Sequence, residues 1–136
     1  MQVKIIGAGL AGCEAALWLA DRGVQVELYE QKPAKYSPAH KSAGFAELIC
    51  SNSLKAERPD SASGLLKIEM KMMGSHLLDA AETARVAAGG ALAVDRDVFS
   101  AAVTEMGGKP PQHHGPARGG HGAGRERHPC SSPAAR

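Results

Sequence analysis

The chain has 136 residues, three cysteines and a formal net charge of +2. Cys13, Cys50 and Cys130 are widely separated with no CxxC pair, which argues against a disulfide framework and for a reducing, cytoplasmic setting. The opening MQVKII holds one positive charge and runs into glycines, so it is neither a secretory leader nor the roughly 20-residue apolar run of a membrane span.

The positive balance is confined to the last stretch. After Met106 stand five basic residues (Lys109, Arg118, Arg125, Arg127, Arg136) against Glu126, leaving 11 basic and 13 acidic groups in residues 1–106. The ordered part is therefore slightly acidic, which does not suit a nucleic-acid surface.

Residues 3–6 form a short apolar run that predicts a buried strand, and residues 7–12 a turn. Over residues 10–22, Leu10, Cys13, Ala16, Leu17 and Ala20 fall on one helical face, and Gly23 closes the helix. Cys13 thus reads as a structural residue. Residues 24–29 (VQVELY) alternate as a second strand, and residues 31–52 read mostly as loop, marked by Pro33 and Pro38.

From Ala62 to about Arg85 the positions Leu66, Met70, Met73, Leu77 and Ala81 predict one long helix, weakened at Gly74 by about 1 kcal/mol relative to alanine. Residues 91–94 suggest another strand. Asp95 or Asp97 then caps a helix through Met106, with Phe99, Ala102, Val103 and Met106 inward. Met70, Met72, Met73 and Met106 read as core or helix-surface residues.

Residues 107–136 (GGKPPQHHGPARGGHGAGRERHPCSSPAAR) contain no Val, Ile, Leu, Met, Phe, Tyr or Trp. Such a segment cannot offset a chain entropy of about 1–2 kcal/mol per residue, so a disordered tail is expected. Its composition also matches GC-rich DNA translated out of frame. His113, His114, His121, His128 and Cys130 lack the regular spacing of a zinc site, so no metal is expected. The division is residues 1–106, a partial dinucleotide-binding domain, and residues 107–136, the tail.

Gly7, Gly9 and Gly12 make a GxGxxG pattern between the first strand and its helix. In such a turn the first glycine permits the tight bend and the second lets backbone approach a pyrophosphate. The third allows close helix–strand packing. The free N–H groups of the helix's first turn, near Leu10, Ala11 and Gly12, and its positive dipole end then face the phosphates. Glu30 ends the second strand 18 residues after Gly12, near the spacing of an acid that accepts from the adenosine ribose hydroxyls. An acid there suits FAD or NAD and repels the 2′-phosphate of NADP. The N-terminal position of the motif favours FAD by fold-level analogy.

The loop carries Cys50 among Ser51, Asn52 and Ser53, with His40, Lys41 and Lys55 near in sequence. Loops of this length are often functional, and cationic neighbours raise a thiolate fraction. On spacing alone, a small buried hydrophobe is the default reading of a single cysteine.

The stretches GAGLAGCEAA, PAH, FAELICSNSLKA, GLLKIEM and AAGGALAVDRDVFS, in this order, resemble the N-terminus of the FAD-dependent methylenetetrahydrofolate–tRNA-(uracil-5-)-methyltransferases. The resemblance covers residues 2–106, and FAELICSNSLKA with GGALAVDRDVFS are its most specific parts. The flavoproteins that form carboxymethylaminomethyluridine in tRNA share a GCEAA-type helix but lack those two stretches and are the runner-up. Another FAD-dependent oxidoreductase, or an inert remnant without activity, is the further alternative.

The resemblance implies an α/β fold: the N-terminal part of a Rossmann-like FAD-binding domain, a βαβ unit plus helices. It implies an enzyme that takes a methylene group from 5,10-methylenetetrahydrofolate, reduces it with flavin electrons resupplied by NAD(P)H, and forms 5-methyluridine in the T-loop of tRNA. Gly7, Ala8, Gly9, Leu10, Ala11, Gly12 and Glu30 match the family's FAD cradle. Cys50 matches a catalytic cysteine held beside the flavin. Ser51, Asn52 and Arg96 lie in matching stretches with no role assigned. Family members are several hundred residues long, and the pattern stops after Met106. The folate and tRNA surfaces and the cysteine that attacks uracil are therefore not expected here, and the chain alone is expected to be unstable and inactive.

Overall fold

A computed structural model describes residues 2–108 and 126–129. In chain order the elements are β1 (Gln2–Ile6), α1 (Leu10–Asp21), β2 (Gln25–Glu30), β3 (Ser53–Ala56), α2 (Ala62–Met72) and α3 (His76–Thr83). They continue with β4 (Arg85–Val86), β5 (Ala91–Val94), α4 (Arg96–Gly107) and β6 (Glu126–Pro129).

β1 and β2 pair in parallel from Gln2 against Gln25 to Ile6 against Tyr29, with α1 as the crossover. A parallel pair cannot be closed by a hairpin, so the chain must travel back along the sheet, and the helix does this. Gly23 closes α1 at φ +73, a left-handed conformation that costs a glycine little. Of the face expected inward, Cys13, Ala16 and Leu17 are buried, whereas Leu10 at the first turn is exposed.

β2 alternates cleanly, burying Val26, Leu28 and Glu30, while Ile6 at the end of β1 is 69% exposed. Among the described residues, β1 pairs only with β2, so its other edge is open. A second sheet of order β3–β5–β4 is antiparallel and was not expected beyond β5. Its strands are only four, four and two residues long, too short to leave an alternating pattern.

The single helix expected across residues 62–85 is two. Gly74 takes φ +77, and the Ser75 side chain accepts the Leu78 N–H as the cap of a new helix. The apolar spacing runs unbroken across the junction, but the two halves differ. Leu77 and Ala81 of α3 are buried, and Leu66 and Met73 are more than half exposed. α4 begins where expected, with Asp95 accepting the Asp97 and Val98 N–H groups, and buries Phe99 and Val103.

One apolar core joins α1, β2, α3, β5 and α4, together with Phe45, Ala46 and Leu48 of the long loop. In the tail, Glu126–Pro129 forms β6, antiparallel to β2 with Glu30 opposite Glu126. No apolar side chain is needed for this, because the free edge of β2 offers main-chain partners to any extended segment. The rest of the disorder expectation, at residues 109–125 and 130–136, lies outside the described residues. So do His113, His114, His121 and Cys130 of the zinc reading.

Candidate functional site

β1 delivers the chain into a turn that only glycine fits at two positions. Gly7 has φ +99, and its N–H donates to the Tyr29 carbonyl at 2.7 Å. A Cβ on Gly12 would collide with the Gly7 carbonyl oxygen, so that glycine lets α1 lie directly on the turn. Gly9 is different. Its φ of −76 suits any residue, and a Cβ there would meet nothing within 4 Å. Among the described residues nothing requires a glycine at position 9; a group approaching from outside would.

The start of α1 is also unlike the other helix starts. α2 is capped by Ser61, α3 by Ser75 and α4 by Asp95, each side chain accepting first-turn N–H groups. α1 has Gly9 at its cap position, no side-chain cap and no acid in its first turn. Among the described residues, no acceptor meets the N–H groups of Leu10, Ala11 or Gly12. Gly9, Leu10 and Ala11 are exposed. Unpaired donors and the positive end of the helix dipole therefore point into open space.

Glu30 sits at the edge of that space, 8% exposed. Its Oε2 accepts the Ala8 N–H at 2.7 Å and its Oε1 the Lys32 N–H at 3.0 Å. A carboxylate has about four acceptor positions, so each oxygen keeps one for a further donor such as a ribose hydroxyl. Cys13, 2% exposed, donates its thiol to the Ala8 carbonyl at 3.2 Å and is structural, as its helical position suggested.

Residues 31–52 form no strand or helix, yet their centre is fixed from three sides. Phe45 is fully buried; its N–H donates to Thr104 Oγ1 at 2.8 Å and its carbonyl accepts from Ser100 Oγ at 2.6 Å. Both partners are on α4, and its Gly107 leaves only enough room for the Phe45 ring. Ala46, at φ +48, donates its N–H to the Ala8 carbonyl at 2.8 Å and so touches the glycine turn itself. Glu47 accepts the N–H groups of Lys41 and Ser42 at 2.8 and 2.9 Å. Lys32, 4% exposed, donates its ammonium to the Gly44 carbonyl at 2.6 Å and to Glu47 at 3.3 Å. Burial alone would raise the Glu47 pKa. The backbone donors and the Lys32 ammonium outweigh it and hold this carboxyl below its ordinary 4.5.

Cys50 follows four residues after Ala46, so its Cα lies no more than about 15 Å from that anchor. The thiol is free and exposed, which sets aside the buried-hydrophobe reading. The sequence neighbours expected to activate it are otherwise engaged or apart. His40 shares a 2.5 Å hydrogen bond with Ser37, and among the described residues no hydrogen bond or ion pair joins His40, Lys41 or Lys55 to Cys50. Ser51 Oγ accepts the Ser53 N–H, the Asn52 carbonyl accepts the Val94 N–H, and Arg96 is an exposed first-turn residue of α4.

Lys32, Glu47, Ser100 and Thr104 were not singled out by sequence reasoning. Glu14 was also missed. Its carboxylate accepts from Ser75 Oγ and from the His76 and Leu77 N–H groups at 2.7–3.1 Å, clamping α3 onto α1. The sequence signal was an acid within the otherwise apolar run of residues 10–20.

A second concavity of about 870 Å³ lies on the face of α1 turned away from Cys13, Ala16 and Leu17. Trp18, Leu54, Leu66, Met70 and Leu78 line it, together with Lys67, whose ammonium donates to the Ala56 and Ser63 carbonyls. Desolvation by burial lowers the Lys67 pKa. Among the described residues there is no metal-binding cluster of His, Cys, Asp and Glu, and no helix is long and apolar enough to cross a membrane.

The parallel βαβ unit, its three-glycine turn and the acid ending β2 define a Rossmann-like α/β unit. The family model described as "Glucose inhibited division protein A" matches residues 2–109, and the chain belongs to that family. The chain is similar to proteins named methylenetetrahydrofolate–tRNA-(uracil-5-)-methyltransferase TrmFO. It is 61% identical over 104 residues to the one from Geotalea daltonii, covering 76% of this chain and 24% of that protein. It is 60% identical over 103 residues to the Geobacter sulfurreducens protein, with 76% and 24% covered. It is 55% identical over 104 residues to the Syntrophomonas wolfei protein, again with 76% and 24% covered. The chain thus spans about a quarter of the length of the curated relatives it matches. Every residue of the glycine turn, Glu30 and Cys50 falls within the matched part.

Proposed function

We propose that residues 2–108 form the front of the FAD-binding domain of a folate-dependent tRNA methyltransferase that makes 5-methyluridine in the T-loop. The observation that carries the reading is Gly9. It is a glycine with ordinary backbone and no neighbour of its own to avoid, beside three unpaired N–H donors. A pyrophosphate is the group that needs both the missing Cβ and the donors. The free N–H groups of Leu10, Ala11 and Gly12 would hold it beside Gly9, and Glu30 would accept the ribose hydroxyls. Gly7 and Ala8, whose N–H groups are taken by Tyr29 and Glu30, would shape the turn and not donate to the phosphates. The Glu30 carboxylate repels a 2′-phosphate, which favours FAD over NADP in this cradle.

Bound there, FAD supplies the two-electron step that turns the methylene group of 5,10-methylenetetrahydrofolate into a methyl group, with NAD(P)H as the source of electrons. Cys50 is the nucleophile or proton donor of this segment, carried on a loop hydrogen-bonded to the glycine turn. The names of the relatives support the substrate assignment, and folate and tRNA contacts belong to the remaining length of such enzymes. The 136-residue chain alone is not expected to methylate tRNA; a folate-dependent 5-methyluridine signal from the purified chain contradicts that.

The test of the cradle is a titration with FAD followed by quenching of flavin fluorescence, in the native chain and in Gly9→Val. The valine points into open space and leaves the fold intact by circular dichroism. FAD affinity is expected to drop about 100-fold or more, a loss of about 2.7 kcal/mol. Equal affinity in the two proteins rejects the cradle.

A further inference from the structure

We propose that Lys32 is a positioning residue that couples the adenosine end of the dinucleotide cradle to the loop carrying Cys50, an inference that rests on the cradle reading above. Four links close into a ring. The Glu30 carboxylate accepts the Ala8 N–H, and the Ala8 carbonyl accepts the Ala46 N–H. The loop around Ala46 is held to Lys32 through the Gly44 carbonyl and Glu47. The Lys32 N–H returns to the other oxygen of Glu30.

The ring is made of main-chain groups and of the Glu30, Lys32 and Glu47 side chains, of which Glu47 is partly exposed at 14%. Glu30, Lys32, Ala8 and Ala46 are each less than a tenth exposed. Ala46 also has the left-handed φ of +48, which an alanine leaves unless its surroundings hold it. On this proposal the docked arrangement, with the Ala46 N–H on the Ala8 carbonyl, exchanges with one in which that bond is released. Lys32 favours the docked arrangement, because its ammonium bonds both the Gly44 carbonyl and Glu47 of the docked loop.

A ligand hydroxyl on Glu30 acts on the same carboxylate that fixes Ala8 and the Lys32 backbone. Orienting that carboxylate favours the docked loop, and by linkage the docked loop favours the ligand. Lys32 touches neither a reacting atom nor the thiol. Its part is to make occupancy of one end of the cradle felt at the loop that presents Cys50.

The experiment uses the full chain with ADP, which carries the adenosine ribose and pyrophosphate but no flavin. ADP binding is measured by calorimetry, and loop docking by amide hydrogen exchange at Ala46. In the native chain, saturating ADP is expected to slow Ala46 exchange by at least about fivefold, the lower end of typical coupling. In Lys32→Met, ADP still binds the glycine turn, but Ala46 exchange is fast with or without it. Lys32→Arg restores the dependence, which a merely space-filling role would not do. If Lys32→Met fails to fold, Glu47→Gln is the second probe, with the same loss of ADP dependence expected. ADP that binds without changing Ala46 exchange overturns the coupling and leaves the cradle standing. Full ADP dependence in a folded Lys32→Met overturns the role of Lys32. No ADP binding at all defeats the cradle reading, and the coupling with it.

Discussion

The loop around Phe45 and helix α2 invert the usual relation between regularity and order. The loop has no repeating hydrogen bonds, yet Phe45 and Ala46 are fully buried and their main chain is tied to α4 and to the glycine turn. α2 has full helical bonding, yet Leu65, Leu66, Ile68 and Met72 are all exposed, and the side chain it buries is Lys67. What fixes a segment here is where its polar groups and apolar bulk are received, not its secondary structure. The same loop carries the exposed Cys50.

The sharpest way to break this contrast is to empty the loop's anchor. Phe45→Ala is expected to cost about 3–5 kcal/mol in urea unfolding, as for other fully buried phenylalanines. A loss below about 1 kcal/mol would mean the loop is not part of the core. Gly12→Ala comes next. Its Cβ meets the Gly7 carbonyl, and lifting α1 off the turn is expected to cost about 1–3 kcal/mol and to weaken FAD binding together with stability. Ser75→Ala removes the cap that starts α3 and a donor to Glu14, with about 1 kcal/mol expected in thermal unfolding.

Acid gives a smaller and more selective effect. Glu47 has a lowered pKa in the folded chain, so its contribution is fully present above pH 4.5 and is lost as the pH falls through the lowered value. Glu47→Gln should flatten the fall of stability below pH 4.5 relative to the native chain, and an unchanged slope there would argue against the bonds that Glu47 accepts from the Lys41 and Ser42 N–H groups and from Lys32. At the other end of the contrast, Met72→Ala on the exposed face of α2 is expected to change stability by less than about 0.5 kcal/mol.

The parts legible in the sequence are those with local rules. The glycine spacing, the period of α1 and the distance to Glu30 follow from one βαβ unit and needed no tertiary information. An equally local rule narrows the cap of α4 to Asp95 or Asp97, and the structure gives it to Asp95. The break at Gly74 was hidden because apolar spacing continued across it; the signal lay in the Gly–Ser pair, a left-handed closure followed by a cap. The sheet of β3, β5 and β4 was hidden by strands too short to alternate. Lys32 reaches 12 and 15 residues along the chain to Gly44 and Glu47, and Phe45 meets Ser100 and Thr104 more than 50 residues away. Such pairings between irregular segments have no period to read.

The resemblance pointed to FAELICSNSLKA and GGALAVDRDVFS as the specific stretches without saying why they go together. The structure supplies a reason, since Ser100 of the second holds Phe45 of the first.

The most direct test of the FAD cradle is a two-dimensional amide NMR titration of the full chain with FAD. The uncapped N–H groups of Leu10, Ala11 and Gly12 should move first and furthest, with Ala8 and Lys32 following through Glu30. The capped amides Gly64, Leu78 and Val98 at the starts of α2, α3 and α4 should stay in place. Leu10 and Ala11 also line the concavity beside Trp18 and Met70, so Gly12, Ala8 and Lys32 decide. Uniform shifts across all four helix starts, or shifts at Trp18, Leu54 and Met70 that leave Gly12, Ala8 and Lys32 in place, would contradict a dinucleotide site at the glycine turn.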